Sequence, residues 1–222
     1  MNKVALFDFC ETIANFQTAD AYVDFVRERL QDKRMRRLEL IQNILIKLKF
    51  IQVIEKITKY RFSINKRIKL WQLRGLRFEE LRGLAKEYYQ CRIRSNFISD
   101  ILDEMLKLKE KGYSVLLVSG GYDLYLNFFS DEFGVTDILS TKIEFHKGIC
   151  TGKIDGKDCL GDEKVKQLNK YFKTKPDYSV AFSDSISDLP FLKWAKEGFV
   201  VSRNKHQSWC NINNLNEIIW QE

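Results

Sequence analysis

The sequence predicts an α/β protein: a parallel sheet with helices on both faces, interrupted after its first strand by an all-helical insertion. Three observations carry that expectation. An apolar run over residues 4–9 brings Asp8 to its end almost as soon as the chain begins. A proline-free stretch from about residue 18 to 94 repeats apolar side chains at three- and four-residue spacing, the period of a helix with one buried face. Beyond it, strand-like and helix-like segments alternate, and that alternation packs helices on both faces of a parallel sheet.

Taken in order, residues 4–9 form a short continuous apolar run that stops at a polar cluster, which marks a buried strand. In the insertion the periodic residues are Tyr22, Phe25 and Val26, then Leu38, Ile41, Leu45 and Leu48, then Val53, Ile54 and Ile57, then Leu70 and Leu73, then Leu81, Leu84 and Tyr88. Residues 98–111 read as an amphipathic helix ending at Gly112, 113–118 as a buried strand, and 121–133 as a helix closed by Gly134. Residues 139–145 and 149–154 read as a hairpin around His146, Lys147 and Gly148, followed by a helix over 162–172. A strand over 178–182, a helix over 188–195 and a last short strand over 199–202 complete a Rossmann-like sheet. The expected division is a core of residues 1–17 and 95–222, with the helical insertion over 18–94.

Composition narrows the class. At 222 residues and 45% hydrophobic, the chain suits one sizeable domain, or a core carrying an insertion, and is not expected to be disordered. Five scattered cysteines (Cys10, Cys91, Cys150, Cys159, Cys210) are an odd number without a CxxC pair, so neither a disulfide framework nor a zinc site is expected, and a reducing cytoplasm fits. The opening MNKVALFDF is too short and polar for a signal peptide, and no run of ~18 apolar residues follows. Charge is uneven: residues 21–96 hold 20 Lys/Arg against 8 Asp/Glu, a net +12, so the rest carries −5 of the overall +7.

In an open α/β sheet, ligands bind beyond the carboxyl ends of the strands. Four polar clusters fall at or near such ends: Asp8, Cys10 and Thr12; Ser119, Gly120 and Gly121; Lys164 at a helix start; and Ser183, Asp184, Ser185 and Asp188. Each has an ordinary explanation by itself, as a turn, a helix cap or a solvated lysine. Together they supply carboxylates from two strand ends, a hydroxyl, backbone amides and one lysine, the parts needed to hold Mg²⁺ and a phosphoryl group.

The segments FDFCETI, LLVSGG, GDEKVKQL and FSDSISDLP resemble, in that order, the four motifs of the haloacid dehalogenase superfamily. The helical insertion between the first two resembles the cap of its phosphoserine-phosphatase-like branch. The resemblance implies a Mg²⁺-dependent phosphate monoester hydrolase acting on a small phosphorylated substrate. It implies that Asp8 is the nucleophile, forming an aspartyl phosphate, that Ser119 and the Gly120 amide bind phosphoryl oxygens, and that Lys164 neutralises their charge. Asp8, the Cys10 carbonyl oxygen and Asp184 are the implied metal ligands, with Thr12 supporting the loop and Asp188 orienting metal waters or Lys164.

One position departs from the family. The second aspartate of the first motif, the acid/base of the reaction, is Cys10 in this chain. A thiol, with a reference pKa of about 8.5 that neighbouring carboxylates raise further, is a poor general base, and losing a positioned acid/base costs roughly 10²- to 10⁴-fold. Slow hydrolysis, phosphotransfer to an acceptor, and a weakly catalytic phosphate-binding regulatory module are therefore all open. Polar neighbours argue against Cys10 as simple packing, and the side chain of Glu11 is expected to point away from it. Phosphoserine enzymes carry a glutamate nine residues beyond the nucleophile; here that position is Gln17, which suits an uncharged leaving group. The basic insertion is expected to be mostly solvated lysines and arginines over a helical core. Peripheral contact with an anionic membrane is a secondary option, and no nucleic-acid motif is found.

Overall fold

The computed structural model describes residues 2–47 and 64–222. After β1 (Lys3–Phe7) come the helices α1 (Thr18–Leu30), α2 (Lys33–Lys47), α3 (Ile64–Trp71) and α4 (Phe78–Tyr88), with a π turn and a 3₁₀ turn ending at Asn96. The rest runs α5 (Ser99–Glu110), β2 (Ser114–Tyr122), α6 (Asp123–Phe133), β3 (Asp137–His146), β4 (Ile149–Asp155), α7 (Asp162–Tyr171), β5 (Tyr178–Ser183), α8 (Leu189–Trp194), β6 (Glu197–Arg203), α9 (Ser208–Ile212) and β7 (Asn216–Trp220). The expected helical positions Leu48, Val53, Ile54 and Ile57 lie outside the described residues.

The strands form one sheet in the order β4-β3-β2-β1-β5-β6-β7, parallel except for β4, which pairs antiparallel with β3. From β1 the chain builds outward through β2 and β3, then returns to the other side of β1 and builds outward again from β5. The order therefore reverses beside β1, and such a reversal opens a crevice at the carboxyl ends of the strands. Asp8 follows β1 and Asp184 follows β5, so the two carboxylates are delivered to the same crevice.

Alternation along β1 splits the core. Ala5 and Phe7 face a larger cluster that includes Tyr22, Val26, Leu70, Leu81 and Tyr88 of the insertion; Val4 and Leu6 face a smaller one with Leu116, Val118, Phe191 and Leu192. Rings of neighbouring strands stack across the first face, Phe7 on Phe182 at 4.4 Å and Phe182 on Phe199 at 4.8 Å. Burial of each such side chain contributes about 1.5–3 kcal/mol, so insertion and sheet share one apolar core.

The insertion is also tied to the β3–β4 hairpin by backbone hydrogen bonds, Gly75 N to Cys150 O, Cys150 N to Leu76 O and Phe78 N to Gly148 O, each 2.8 Å. Gly152, at φ +78°, allows this approach: a Cβ there would lie 3.0 Å from the Trp71 Cα.

Two boundaries differ from the sequence expectation. β2 does not stop at 118 but runs on to Tyr122, and α6 starts at Asp123 rather than Gly121, because β3 pairs with Ser119 and again with Tyr122, carrying the strand across an unpaired bulge at the two glycines. The edge strand β7, preceded by the short α9, is additional; its apolar stretch Ile218–Trp220 is too brief to signal a strand without β6 alongside.

Candidate active site

The Asp8 N–H donates to the Phe182 carbonyl at 2.9 Å, extending the β1–β5 ladder one residue past β1 and fixing the backbone of the carboxylate. The chain then turns sharply: the Phe9 carbonyl accepts from the amides of Thr12, Ile13 and Ala14, and Glu11 takes φ +55°. Asp8 Oδ1 accepts from the Phe9 amide at 2.7 Å and from Lys164 Nζ at 3.1 Å.

Lys164 is only 1% exposed, far from the solvated lysine its sequence position allowed. Its Nζ lies 2.5 Å from Asp188 Oδ2, which also accepts from the Ser183 hydroxyl at 2.7 Å. Burial alone opposes the charge on Lys164, but Asp8 and Asp188 outweigh it and hold the ammonium firmly protonated. Burial pushes the Asp8 carboxyl above its usual range; Lys164 opposes that rise, Asp188 adds to it, and the Phe9 amide and the Ser119 hydroxyl pull it back down.

Thr12 closes the crevice on the β5 side. Its hydroxyl donates to Asp184 Oδ1 and accepts from the Asp184 N–H, both at 3.1 Å. Burial, then Asp8, then Glu11 lift the Asp184 carboxyl to about 7. The charge of Glu11 is thus felt at Asp184, while its carboxylate accepts from the Gln17 side-chain amide.

On the opposite side, the β2–β3 register slips between Ser119 and Tyr122, so Gly120 and Gly121 bulge out of the ladder. A Cβ on Gly120 would meet Leu160 Cδ2 at 2.5 Å, so any other residue here would have to push the exposed Leu160 side chain aside. Ser119 Oγ accepts from the Gly121 amide at 3.1 Å, and the Ser119 hydroxyl is near enough to pull the Asp8 carboxyl down. Asp8, Thr12, Ser119, Lys164, Asp184 and Asp188 are therefore brought into one place by three strand ends and a helix start.

Cys10 stands apart from that set. Its thiol is buried, 2.9 Å from the Thr18 hydroxyl, which is in turn 2.9 Å from the Tyr125 hydroxyl, while the Tyr88 hydroxyl donates to the Thr18 carbonyl at 2.9 Å. Burial and then Asp8 push the thiol up from its ordinary value, while Thr18 opposes them. Cys10 is thus packed and hydrogen-bonded despite its polar neighbours, because the insertion folds tyrosines over it. Gln17 donates its side-chain amide to the Glu11 carboxylate. Thr18, Tyr125, Lys66 and Asp158 also gather near the crevice and went unnoticed in the sequence, where each is an unremarkable residue of a helix or loop.

Among the described residues no group of three or more His, Cys, Asp and Glu side chains is placed to cage a metal. The donor chemistry fits a cation with few protein ligands: Asp8 helps raise Asp184, so a buried and a half-buried carboxylate stand close enough to repel. A hard divalent ion that keeps most of its waters relieves such a pair, which is how magnesium is commonly held.

A sheet whose order reverses at a buried aspartate, with a lysine and a second carboxylate beside it, defines the class of α/β protein that binds ligands at its switch point. The family model described as haloacid dehalogenase-like hydrolase matches residues 5–193, and the chain belongs to that family. The phosphoserine phosphatase of Methanocaldococcus jannaschii is 24% identical over 197 residues, covering 87% of this chain and 82% of that protein. A Bordetella pertussis Tohama I protein of unknown function superposes with a TM-score of 0.77 at 18% identity, over 98% of both chains. A phosphoserine phosphatase solved as its phospho-aspartyl intermediate analogue superposes with a TM-score of 0.61 at 20% identity, over 98% of this chain and 93% of that one.

Proposed function

We propose that the chain is a Mg²⁺-dependent phosphate monoester hydrolase with Asp8 as covalent nucleophile. The observation that carries this is the contact of the buried Lys164 with both Asp8 and Asp188, with the Ser119 hydroxyl near enough to lower the same Asp8 carboxyl. A carboxylate flanked by a fixed cation and a hydroxyl is set to meet a phosphoryl group.

An Asp8 oxygen attacks phosphorus as the bond to the leaving oxygen breaks. Lys164, Ser119 and the Gly120 amide stabilise the charge spreading over the phosphoryl oxygens. Water then attacks the phosphorus of the aspartyl phosphate, releasing phosphate and restoring Asp8. Asp8, the Cys10 carbonyl oxygen and Asp184 would hold Mg²⁺, which supplies charge neutralisation at the phosphoryl group. Thr12 fixes the Asp184 carboxylate, and Asp188 fixes Lys164. Residues 1–17 and 95–222 form the catalytic core and 18–94 the cap over it, in a protein of the cytoplasm.

Cys10 supports a second reading, slow dephosphorylation suited to phosphotransfer or regulation. Its thiol is engaged with Thr18 under the tyrosines, where a carboxylate acid/base is expected to act. The substrate is a small phosphate monoester with an uncharged group facing Gln17, which speaks against phosphoserine.

A panel of phosphate monoesters assayed with Mg²⁺ and with chelator, beside Asp8→Asn, tests this. Metal-dependent release of phosphate that disappears in Asp8→Asn is expected. Equal activity in chelator, or activity retained by Asp8→Asn, would end the aspartyl-phosphate mechanism.

A further inference from the structure

Most cations of the insertion were expected to be solvated, yet α3 buries Lys66 and Leu70 on one face, at the i and i+4 spacing that points two side chains the same way. Lys66 lies 6% exposed inside the junction of insertion and sheet. Its Nζ donates to the Gly120 carbonyl at 2.6 Å, to the Thr141 hydroxyl at 3.3 Å and to the Asp158 carboxylate, and stands 5.3 Å from the centre of the Tyr122 ring. Thr141 donates to the same Asp158 oxygen at 2.6 Å and accepts from the Cys159 amide at 3.0 Å, so the lysine is held from behind.

Stability alone does not account for this cluster. Among the described residues, Asp158 Oδ2 and the Tyr122 hydroxyl are buried without a hydrogen-bond partner, and such atoms cost stability. The Gly120 carbonyl, by contrast, lies in the bulge beside the nucleophile. It shares its peptide with the Gly121 N–H, which donates to Ser119 Oγ at 3.1 Å. That bond fixes the Ser119 hydroxyl in the bulge at the end of β2.

We propose that Lys66 is a positioning residue of the insertion, which orients the Ser119 hydroxyl through the Gly120–Gly121 peptide. A carbonyl that accepts from a cation makes the N–H of its own peptide a stronger donor, and hydrogen bonds in series reinforce one another in a low-dielectric interior. Seating of the insertion thereby sets the geometry of the phosphate-binding hydroxyl. This builds on the hydrolase reading above, but the Lys66 contact is testable without turnover.

The first measurement is the ¹H–¹⁵N resonance of the Gly121 amide in Lys66→Met, Lys66→Arg and the unaltered protein, without substrate. The expected result is an upfield move of the Gly121 proton in Lys66→Met that Lys66→Arg largely reverses; an unmoved resonance overturns the proposal. The second is the rate of p-nitrophenyl phosphate hydrolysis with Mg²⁺. Lys66→Met should lower kcat roughly ten-fold with little change in KM, and Lys66→Arg should recover most of it. A folded Lys66→Met enzyme with unchanged kcat reduces Lys66 to a staple between insertion and core. If Lys66→Met does not fold, Lys66→Gln takes its place: it keeps a donor but loses the charge, and the same amide shift and kcat loss are required of it. Should the unaltered protein hydrolyse nothing, the hydrolase reading fails, while the amide measurement still decides the role of Lys66.

Discussion

The Thr12 hydroxyl and Asp184 exchange two hydrogen bonds of 3.1 Å, one to the carboxylate and one from the backbone amide. This exchange locks the turn after β1 to the end of β5 and leaves the second Asp184 oxygen outside the pair. Thr12→Val, nearly the same in shape, removes both bonds. The expected outcome is a 10- to 100-fold weaker apparent Mg²⁺ requirement constant, of the order seen when groups orienting metal ligands are removed, about the same for every substrate tested. Thr12→Ser should stay near the unaltered protein. A Mg²⁺ titration of activity that is identical in Thr12→Val shows that Asp184 needs no such support.

Lys164 is sandwiched between Asp8 and Asp188 in a region closed to solvent. Lys164→Met leaves two buried carboxylates without their cation, and breaking a buried ion pair on one side costs about 3–5 kcal/mol. Urea unfolding at pH 7.5 without metal should show a loss of that size, along with lost activity. A variant as stable as the parent means that Asp8 and Asp188 find other partners.

The pH dependence follows from Asp184. Its carboxyl rises from 3.8 to about 7 on folding, so between those values the folded chain binds the extra proton. Stability of the metal-free protein therefore falls as pH rises through this window, with the protonated advantage gone above pH 7. Melting in chelator should occur at lower temperature at pH 8 than at pH 5, with a smaller difference in Asp184→Asn. Magnesium, which needs the deprotonated carboxylate, should raise the melting temperature more at pH 8 than at pH 5. A metal effect that does not grow with pH contradicts the assignment of Asp184 as ligand.

Cys10→Asp tests the most unusual residue. If position 10 governs proton transfer, a carboxylate there should speed turnover of a monoester with a poor leaving group by roughly ten-fold or more. With a good leaving group the first step should change little and the gain should fall in dephosphorylation, read as the decay of trapped aspartyl phosphate. Thr18, which holds the thiol and is itself held by Tyr125, should hold the new carboxylate too. Unchanged burst and steady-state rates would move proton transfer to Glu11 or water.

By itself the sequence determined what is periodic or bound to strand ends. The apolar run before Asp8 made β1, the three- and four-residue spacing made α1 and α4, and the alternation beyond residue 98 made the parallel sheet, because these patterns depend only on which faces must be buried. The order of Asp8, Ser119, Lys164 and Asp184 along the chain likewise announced one cleft, since strand ends of a parallel sheet share an edge. The tertiary structure decided whatever depends on who packs against whom. Lys66 and Lys164 look alike in sequence to the solvated lysines around them, and only their burial against Asp158 and against Asp8 and Asp188 separates them. Cys10 could be read as a replaced acid/base from its position, but its engagement with Thr18 and Tyr125 arises where the insertion closes over β1. The charge state and partner of such groups are set by neighbours on other elements, 92 residues away for Lys66 and Asp158, and no local pattern encodes that.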